Sequence, residues 1–187
     1  QHIPQNLIDS VIAVQDPQFW SHSGYAIQNY DNPDSHPTIA QQLVSEFILY
    51  NEPASLRRAI RERILAAQIT AQFGRTQIME WYLNSAHFGN YAFGVEAAAQ
   101  LYFGKSSEQL TLAESAILAS TSETPALNPL DAPQVALQRG REVIYILNGL
   151  GIVNNEDTIN ALAETPAIEP APPATPEPFD QTQDRPA

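Results

Sequence analysis

Four of the nine basic residues fall inside seven positions: Arg57, Arg58, Arg61 and Arg63. A guanidinium carries a fixed charge and a planar fork of donors, so a cluster of this kind suits a carboxylate, a phosphate or a pyrophosphate. Glu62 lies within it. The spacing of three and four residues from Arg58 to Arg61 and Glu62 predicts that these side chains project together from one helix. Two uses compete: pairing with nearby acids such as Glu52 and Glu62 on a solvated face, or holding a small anionic ligand. The histidines are dispersed and lack a metal-binding spacing such as His-Glu-x-x-His, so a protein-held zinc is not expected. His36, before Pro37, could titrate near neutral pH but reads first as an exposed turn residue.

Positioning these groups falls to helices. Thr38 with Gln41, and Thr111 with Glu114, fit the capping box, in which a hydroxyl and a side chain three residues on satisfy free N–H groups at a helix start. Gly104 reads as the stop of a helix over Val95–Phe103. Pro133 suits the first turn of a helix running to Leu147 and ended by Gly149 and Gly151. Further helices are expected at 5–14, 55–72, 76–84 and 156–163. Leu56, Ile60, Ile64 and Ala67 recur every three to four residues, which predicts an apolar stripe against the core. Leu43, Phe47 and Tyr50 at helical spacing likewise read as core, in preference to a sugar-stacking or membrane-contact surface with Phe19 and Trp20. Strand alternation is scarce, so the expected fold class is all-α.

Composition narrows the function classes. At 187 residues and 43% hydrophobic, the chain can fill one domain's core. Its 21 acidic residues against 9 basic give a net charge of -12, which argues against a partner held mainly through nucleic-acid phosphates. The absence of cysteine excludes disulfides, thiolate nucleophiles and cysteine-ligated zinc. No stretch approaches the roughly 18 apolar residues of a membrane span. Opening at Gln1 without a charged leader, the sequence reads as a segment whose anchor or signal lies upstream. Seven prolines from Pro166 onward, with almost no aliphatic bulk, predict a Pro-rich, acidic, disordered tail over 164–187 behind a domain over 1–163.

The most specific segment runs from Glu80-Trp81-Tyr82-Leu83-Asn84 through His87-Phe88-Gly89-Asn90 to Phe93-Gly94-Val95-Glu96 and Tyr102-Phe103-Gly104-Lys105. It resembles the central motif of the family 51 glycosyltransferases, the peptidoglycan glycosyltransferase domains of penicillin-binding proteins and monofunctional transglycosylases. Other motifs follow the family order. Asp16, Phe19, His22 and Gly24 fit the opening motif. Thr38-Ile39-Ala40-Gln41-Gln42-Leu43 fits the Gly-Gly-Ser-Thr-Ile-Thr-Gln-Gln motif from its threonine onward, and Arg58-Ala59-Ile60-Arg61-Glu62 fits Arg-Lys-x-x-Glu. The similarity covers roughly Leu7 to Val153.

The resemblance implies a mostly helical, lysozyme-like fold that polymerises lipid II into glycan strands by inverting glycosyl transfer, at the outer face of the bacterial cytoplasmic membrane. It implies partners as well: lipid II or the growing strand, the membrane surface, and a penicillin-binding transpeptidase domain. By position, the general base would stand at 15 and the second carboxylate is Glu62. Asp16, His22, Thr38, Gln41, Gln42, Arg58, Arg61 and Asn84 would bind substrate. No cofactor is expected to be held stably, although family members often use a divalent cation, Mg or Mn, at the pyrophosphate.

This chain departs from the pattern at its centre. Position 15 is glutamine, and an amide cannot accept a proton under working conditions; losing a positioned base costs about 10²–10⁴ in rate. Rescue by the shorter Asp16 is not expected. Ser35-His36-Pro37 replaces the glycine-rich run before Thr38, and Ser45 and Ala59 stand where the family has lysines. Only 13 residues separate Gly24 from Thr38, about half the family's usual number, so part of the donor region reads as deleted. The expectation is impaired transfer. Two alternatives stand beside it: an inactive pseudoenzyme that binds lipid-linked precursor or scaffolds cell-wall proteins, and a glycan hydrolase, which Gln15 handicaps equally. The glycosyltransferase reading requires Gln15 and Glu62 to meet at one cleft, with the Arg58 and Arg61 guanidiniums at its far end.

Overall fold

Helix starts in this chain are set by side chains that cap them. Thr111 accepts the Glu114 N–H while the Glu114 carboxylate accepts the Thr111 N–H at 2.9 Å, completing a capping box. Thr38, Ser55 and Asn154 each accept from the N–H three residues on. At Thr38 only half of the expected box forms, because the Gln41 side chain is drawn toward Glu62.

The computed structural model describes residues 3–27 and 35–168. Its helices are α1 (Gln5–Gln15), α2 (Ile39–Leu43, continuing into a π-helical turn at Val44–Ile48), α3 (Leu56–Ser85), α4 (Val95–Phe103), α5 (Leu112–Glu123), α6 (Pro133–Gly149) and α7 (Asn155–Ala163). Among the described residues, β pairing amounts to an isolated bridge between His87 and Phe93. The fold is all-α, as expected. The two helices predicted over 55–72 and 76–84 are the segments of α3, which meet at Gly74 with φ 78° and ψ 163°, a conformation nearly closed to other residues. The predicted tail lies outside the described residues from Glu169 on.

Helix α5 is the axis of the molecule. Every residue from Ala113 to Thr121 is buried, and α1 and α6 pack against it. Alanine and serine dominate this stretch, so neighbouring helices come close. Its buried Ser120 and Thr121 hydroxyls both donate to the Ile117 carbonyl, which satisfies them within the helix. Around this axis, Leu7, Val11, Phe19, Ile39, Leu83 and Tyr102 join α1 to α2, α3 and α4 in one core. Burying each such large side chain contributes about 1.5–3 kcal/mol. A smaller cluster, Val143, Ile144, Leu147 and Ala161, seats α6 and α7.

Two packing expectations are overturned. Leu56, Ile60 and Ile64 are 61%, 51% and 53% exposed, so their stripe faces outward. The inward face of α3 is instead Ala59, Glu62, Ala66 and Thr70, at the same spacing but shifted round the helix. A buried carboxylate on that face inverts the hydropathy pattern on which the periodicity argument relied. Phe47 and Tyr50 are also exposed, while Leu43 and Leu49 are buried. The wider π turn rotates the residues beyond Val44 off the face that α-helical spacing assigns them. Among the described residues, no helix is long and apolar enough to cross a membrane.

Candidate functional site

The site begins where α1 ends. Asp16, its C-cap, is buried and receives His22 Nε2 at 2.8 and 2.9 Å together with the Ile39 N–H at 3.2 Å. The other imidazole nitrogen, Nδ1, accepts the Gly24 N–H, which places the ring proton on Nε2 facing the carboxylate. Burial raises the Asp16 carboxyl above its ordinary pKa, and His22 and the Ile39 N–H pull it partly back. Gly24 has φ 92°, and a Cβ there would stand 2.6 Å from the Ala66 carbonyl oxygen, so glycine alone lets this loop lie on α3. Arg75, just past the break in α3, donates to the Phe19 and His22 carbonyls and fastens the loop from outside. Asp16, His22 and Thr38 line a small cavity of about 230 Å³ beside it.

Gln15 points the other way, into a cleft of about 470 Å³. Its amide Nε2 donates to the Tyr82 hydroxyl at 2.6 Å and to Ser122 Oγ at 2.8 Å. Burial pushes the Tyr82 phenol up to about 12, against the pull of those hydrogen bonds, so it stays protonated at any working pH. Gln42 and Glu46, one helical turn apart on α2 and its π extension, also line this cleft, with His36 and His87. Burial raises the Glu46 carboxyl above its ordinary range, while the two histidines draw it down. At the rim Glu123 is paired with Arg139 at 2.6 Å. His87 is exposed and leans on Phe93, ring centroids 4.8 Å apart.

Glu62 lies behind the cleft and is 1% exposed. One carboxylate oxygen accepts Gln41 Nε2 at 2.9 Å; the other is 2.7 Å from His36 Nδ1 and 3.6 Å from the Arg58 guanidinium. The His36 contact is off the hydrogen-bonding line, so it is electrostatic. Arg58, also buried, donates to Ser45 Oγ at 2.7 Å, and Ser45 Oγ lies 3.2 Å from His36 Nε2. The serine hydroxyl accepts from arginine and has one proton to give, which suits a proton on His36 Nδ1 beside Glu62. The buried Gln41 carbonyl accepts the Ala26 N–H at 3.0 Å, tying the network to the first loop.

These positions correct several expectations. His36 is no exposed turn residue: it lines the cleft on one side and contacts Glu62 on the other. Arg61 does not project with Arg58 and Glu62, because adjacent residues diverge by about 100° on a helix; it is exposed and pairs with Glu52. Both arginines pair with the acids foreseen for them, Arg61 with Glu52 on a solvated face and Arg58 with Glu62 in the interior. Asn84 lies apart from Gln15, lining an apolar cavity of about 450 Å³ with Phe47, Ile48 and Trp81. Gln15 lines the cleft but Glu62 does not: it is buried behind His36 with Arg58, while Arg61 turns to Glu52, so the expected meeting of both groups and both guanidiniums at one cleft is not found.

The surroundings of Glu62 do not fit a protein-held divalent cation. Both carboxylate oxygens face donors, one of them a permanent cation, and among the described residues no three His, Asp or Glu side chains converge. Sequence reasoning missed Ser122, Glu46 and Arg75, and read Ser45 only as a lost lysine, not as the link between Arg58 and His36. Glu46 could have been found from its spacing of four from Gln42; Ser122 and Arg75 carry no local signal, since only tertiary packing brings them to the loop and to the cleft.

The chain shares sequence and fold with known proteins. The transglycosylase family model matches residues 1–148. Penicillin-binding protein 1A of Rickettsia felis is 45% identical over 142 residues, 68% of this chain and 18% of that protein. The protein of the same name from Aquifex aeolicus is 41% identical over 166 residues, 82% of this chain and 23% of its own length. The crystal structure of penicillin-binding protein 1A from Haemophilus influenzae superposes with a TM-score of 0.58 at 25% identity, covering 91% of this chain and 17% of that one. The chain therefore spans about a fifth of the length of these relatives.

Proposed function

Because the chain belongs to the transglycosylase family, we propose that it carries out, at a reduced rate, inverting glycosyl transfer from a lipid pyrophosphate donor, polymerising lipid II into glycan strands. The observation that carries this reading is that Gln15 and His36 line one cleft, with Glu62 buried behind His36. Glu62 and Arg58 would hold the pyrophosphate end, and the Arg58 Nε, buried without a partner among the described residues, is a donor available for that purpose. The acceptor sugar would lie toward Gln15, Tyr82 and Ser122. Reduced rate follows from an amide that donates to both hydroxyls and cannot take the acceptor's proton.

The exposed Leu56, Ile60, Ile64, Phe47 and Ile48 support a membrane surface as the working environment, since apolar side chains grouped outside a helix bundle favour contact with lipid. We assign the domain to the outer face of the bacterial cytoplasmic membrane, with its anchor and a transpeptidase domain in the rest of the protein. A second reading, an inactive binder of lipid-linked precursor, is favoured by the same amide at 15.

The deciding experiment incubates fluorescent lipid II with the wild-type chain and with Gln15→Glu and follows glycan strands by gel. Slow polymerisation accelerated by Gln15→Glu supports the transferase. Binding of lipid II without turnover in either supports the precursor binder. Neither turnover nor binding, with both proteins folded, overturns both readings.

A further inference from the structure

The cleft holds a carboxylate that no part of this reading has used. Glu46 lies on the π turn one helical turn beyond Gln42, lining the same cavity as Gln15. Its neighbour Ser45 turns inward to Arg58, so the widened turn separates a buried serine from a cleft-facing glutamate. The charged and titratable groups around Glu46 come from every wall: His36 ahead of α2, with Glu62 and Arg58 behind it; Tyr82 on α3; His87 after α3; and Glu123 at the end of α5, paired with Arg139 of α6. Of the two carboxylates lining the cleft, Glu123 is neutralised by that arginine. Among the described residues, the Glu46 carboxylate has neither a hydrogen bond nor an ion pair.

We propose that Glu46 is the catalytic base of this chain, taking in the cleft the proton that Gln15 cannot. The inference rests on the transferase reading above. The acceptor hydroxyl oxygen forms the new bond to the donor's anomeric carbon, and its proton passes to the Glu46 carboxylate directly or across one water. The bond from the anomeric carbon to the pyrophosphate oxygen breaks, and its electron pair leaves with the lipid pyrophosphate. The cleft walls partly desolvate the otherwise exposed Glu46 carboxyl and raise it, which makes it a better proton acceptor at neutral pH, while His36 and His87 favour its ionised form. An amide at 15 that donates rather than accepts still orients Tyr82 and Ser122. A base displaced from position 15 would make transfer slow and not absent.

The test compares lipid II polymerisation by the wild type, Glu46→Gln, Gln15→Glu and the double variant, with folding checked by circular dichroism. Glu46 is exposed and unbonded, so its substitution leaves the fold intact. The expected result is a kcat about 10²–10⁴-fold lower in Glu46→Gln at similar KM, loss of the acidic limb of the pH profile, and recovery in the double variant. Wild-type kcat retained in Glu46→Gln overturns the inference while the transferase reading stands. An inactive wild type beside an active Gln15→Glu does the same. Four folded and inactive proteins overturn both.

Discussion

The Gln15 amide and the Tyr82 phenol are joined by a 2.6 Å hydrogen bond in which glutamine is the donor, and Tyr82 keeps its own proton free to give. A hydroxyl both donates and accepts, so this pair can reverse its polarity without moving an atom heavier than hydrogen. Gln15→Glu should therefore fold like the wild type, with the phenol donating to the new carboxylate. Hydrogen bonds to charged groups contribute about 1.5–3 kcal/mol. Because the wild type loses a neutral hydrogen bond worth about 0.5–1.5 kcal/mol, Tyr82→Phe in a double-mutant cycle should cost about 1–1.5 kcal/mol more in the Gln15→Glu background, measured by urea unfolding. Equal costs would mean that the phenol does not serve position 15.

Glu62 and Arg58 make a second expectation quantitative. Both are buried, and truncating one partner of a buried ion pair costs about 3–5 kcal/mol, because the other charge is left without compensation. Glu62→Ala should fall in that range by chemical denaturation. Arg58→Met with Glu62→Leu should recover most of the loss, since an apolar pair of similar volume removes both desolvation penalties. Arg61→Ala should cost under about 1 kcal/mol, as expected of an exposed pair with Glu52.

The helices were legible because their ends are written in capping residues, glycines and prolines that act locally. Thr111 with Glu114, Gly104 and Pro133 do their work within four residues of themselves, and each stands where the sequence indicated. The order of the motifs was legible too, because it stands in the chain itself, although the contacts that join them, Asp16 with Ile39 and Thr38 with Gly24, span 23 and 14 residues. Face assignment failed on α3 for an identifiable reason: periodicity takes hydrophobic for buried, and here the buried face carries Arg58 and Glu62 while isoleucines face out. The π turn at Val44–Ile48 defeated the reading of Phe47 and Tyr50 in the same way, because nothing in those letters announces an extra residue per turn. His36 was misread because its partners, Glu62 and Ser45, are set by tertiary packing.

Gly24 and Gly74 both have positive φ but differ in surroundings, which separates two kinds of cost. A Cβ at Gly74 meets nothing within 4 Å, so Gly74→Ala should cost only backbone strain, about 1–3 kcal/mol. At Gly24 the same methyl would also press on the Ala66 carbonyl and the Thr70 side chain, adding an overpacking penalty of about 1–3 kcal/mol. Gly24→Ala should be the less stable of the two by thermal and urea unfolding. It should also loosen the His22–Asp16 contact, visible as a shift of the His22 imidazole resonances. Equal destabilisation by both would show that the loop yields and that Gly24 is chosen for its dihedral alone.

Alkaline pH gives a prediction whose sign follows from burial. The Tyr82 and Tyr102 phenols are both pushed up to about 12 from an ordinary 10.0, so the folded chain keeps two protons that the unfolded chain releases between those values. Where the native state binds more protons, stability falls as pH rises. The contribution of each phenol is whole below pH 10 and is lost as pH climbs toward 12. One pKa unit corresponds to about 1.4 kcal/mol, so each tyrosine should account for roughly 2–3 kcal/mol across this window. Absorbance at the tyrosinate band should show two of the seven tyrosines ionising last, close to unfolding. Tyr82→Phe and Tyr102→Phe should each remove one late component and flatten the fall of stability with pH, read from urea midpoints taken at successive alkaline pH values. An unchanged slope in Tyr82→Phe would mean that the phenol beside Gln15 is open to water, and the cleft wall drawn from Tyr82 and Ser122 would then be wrong.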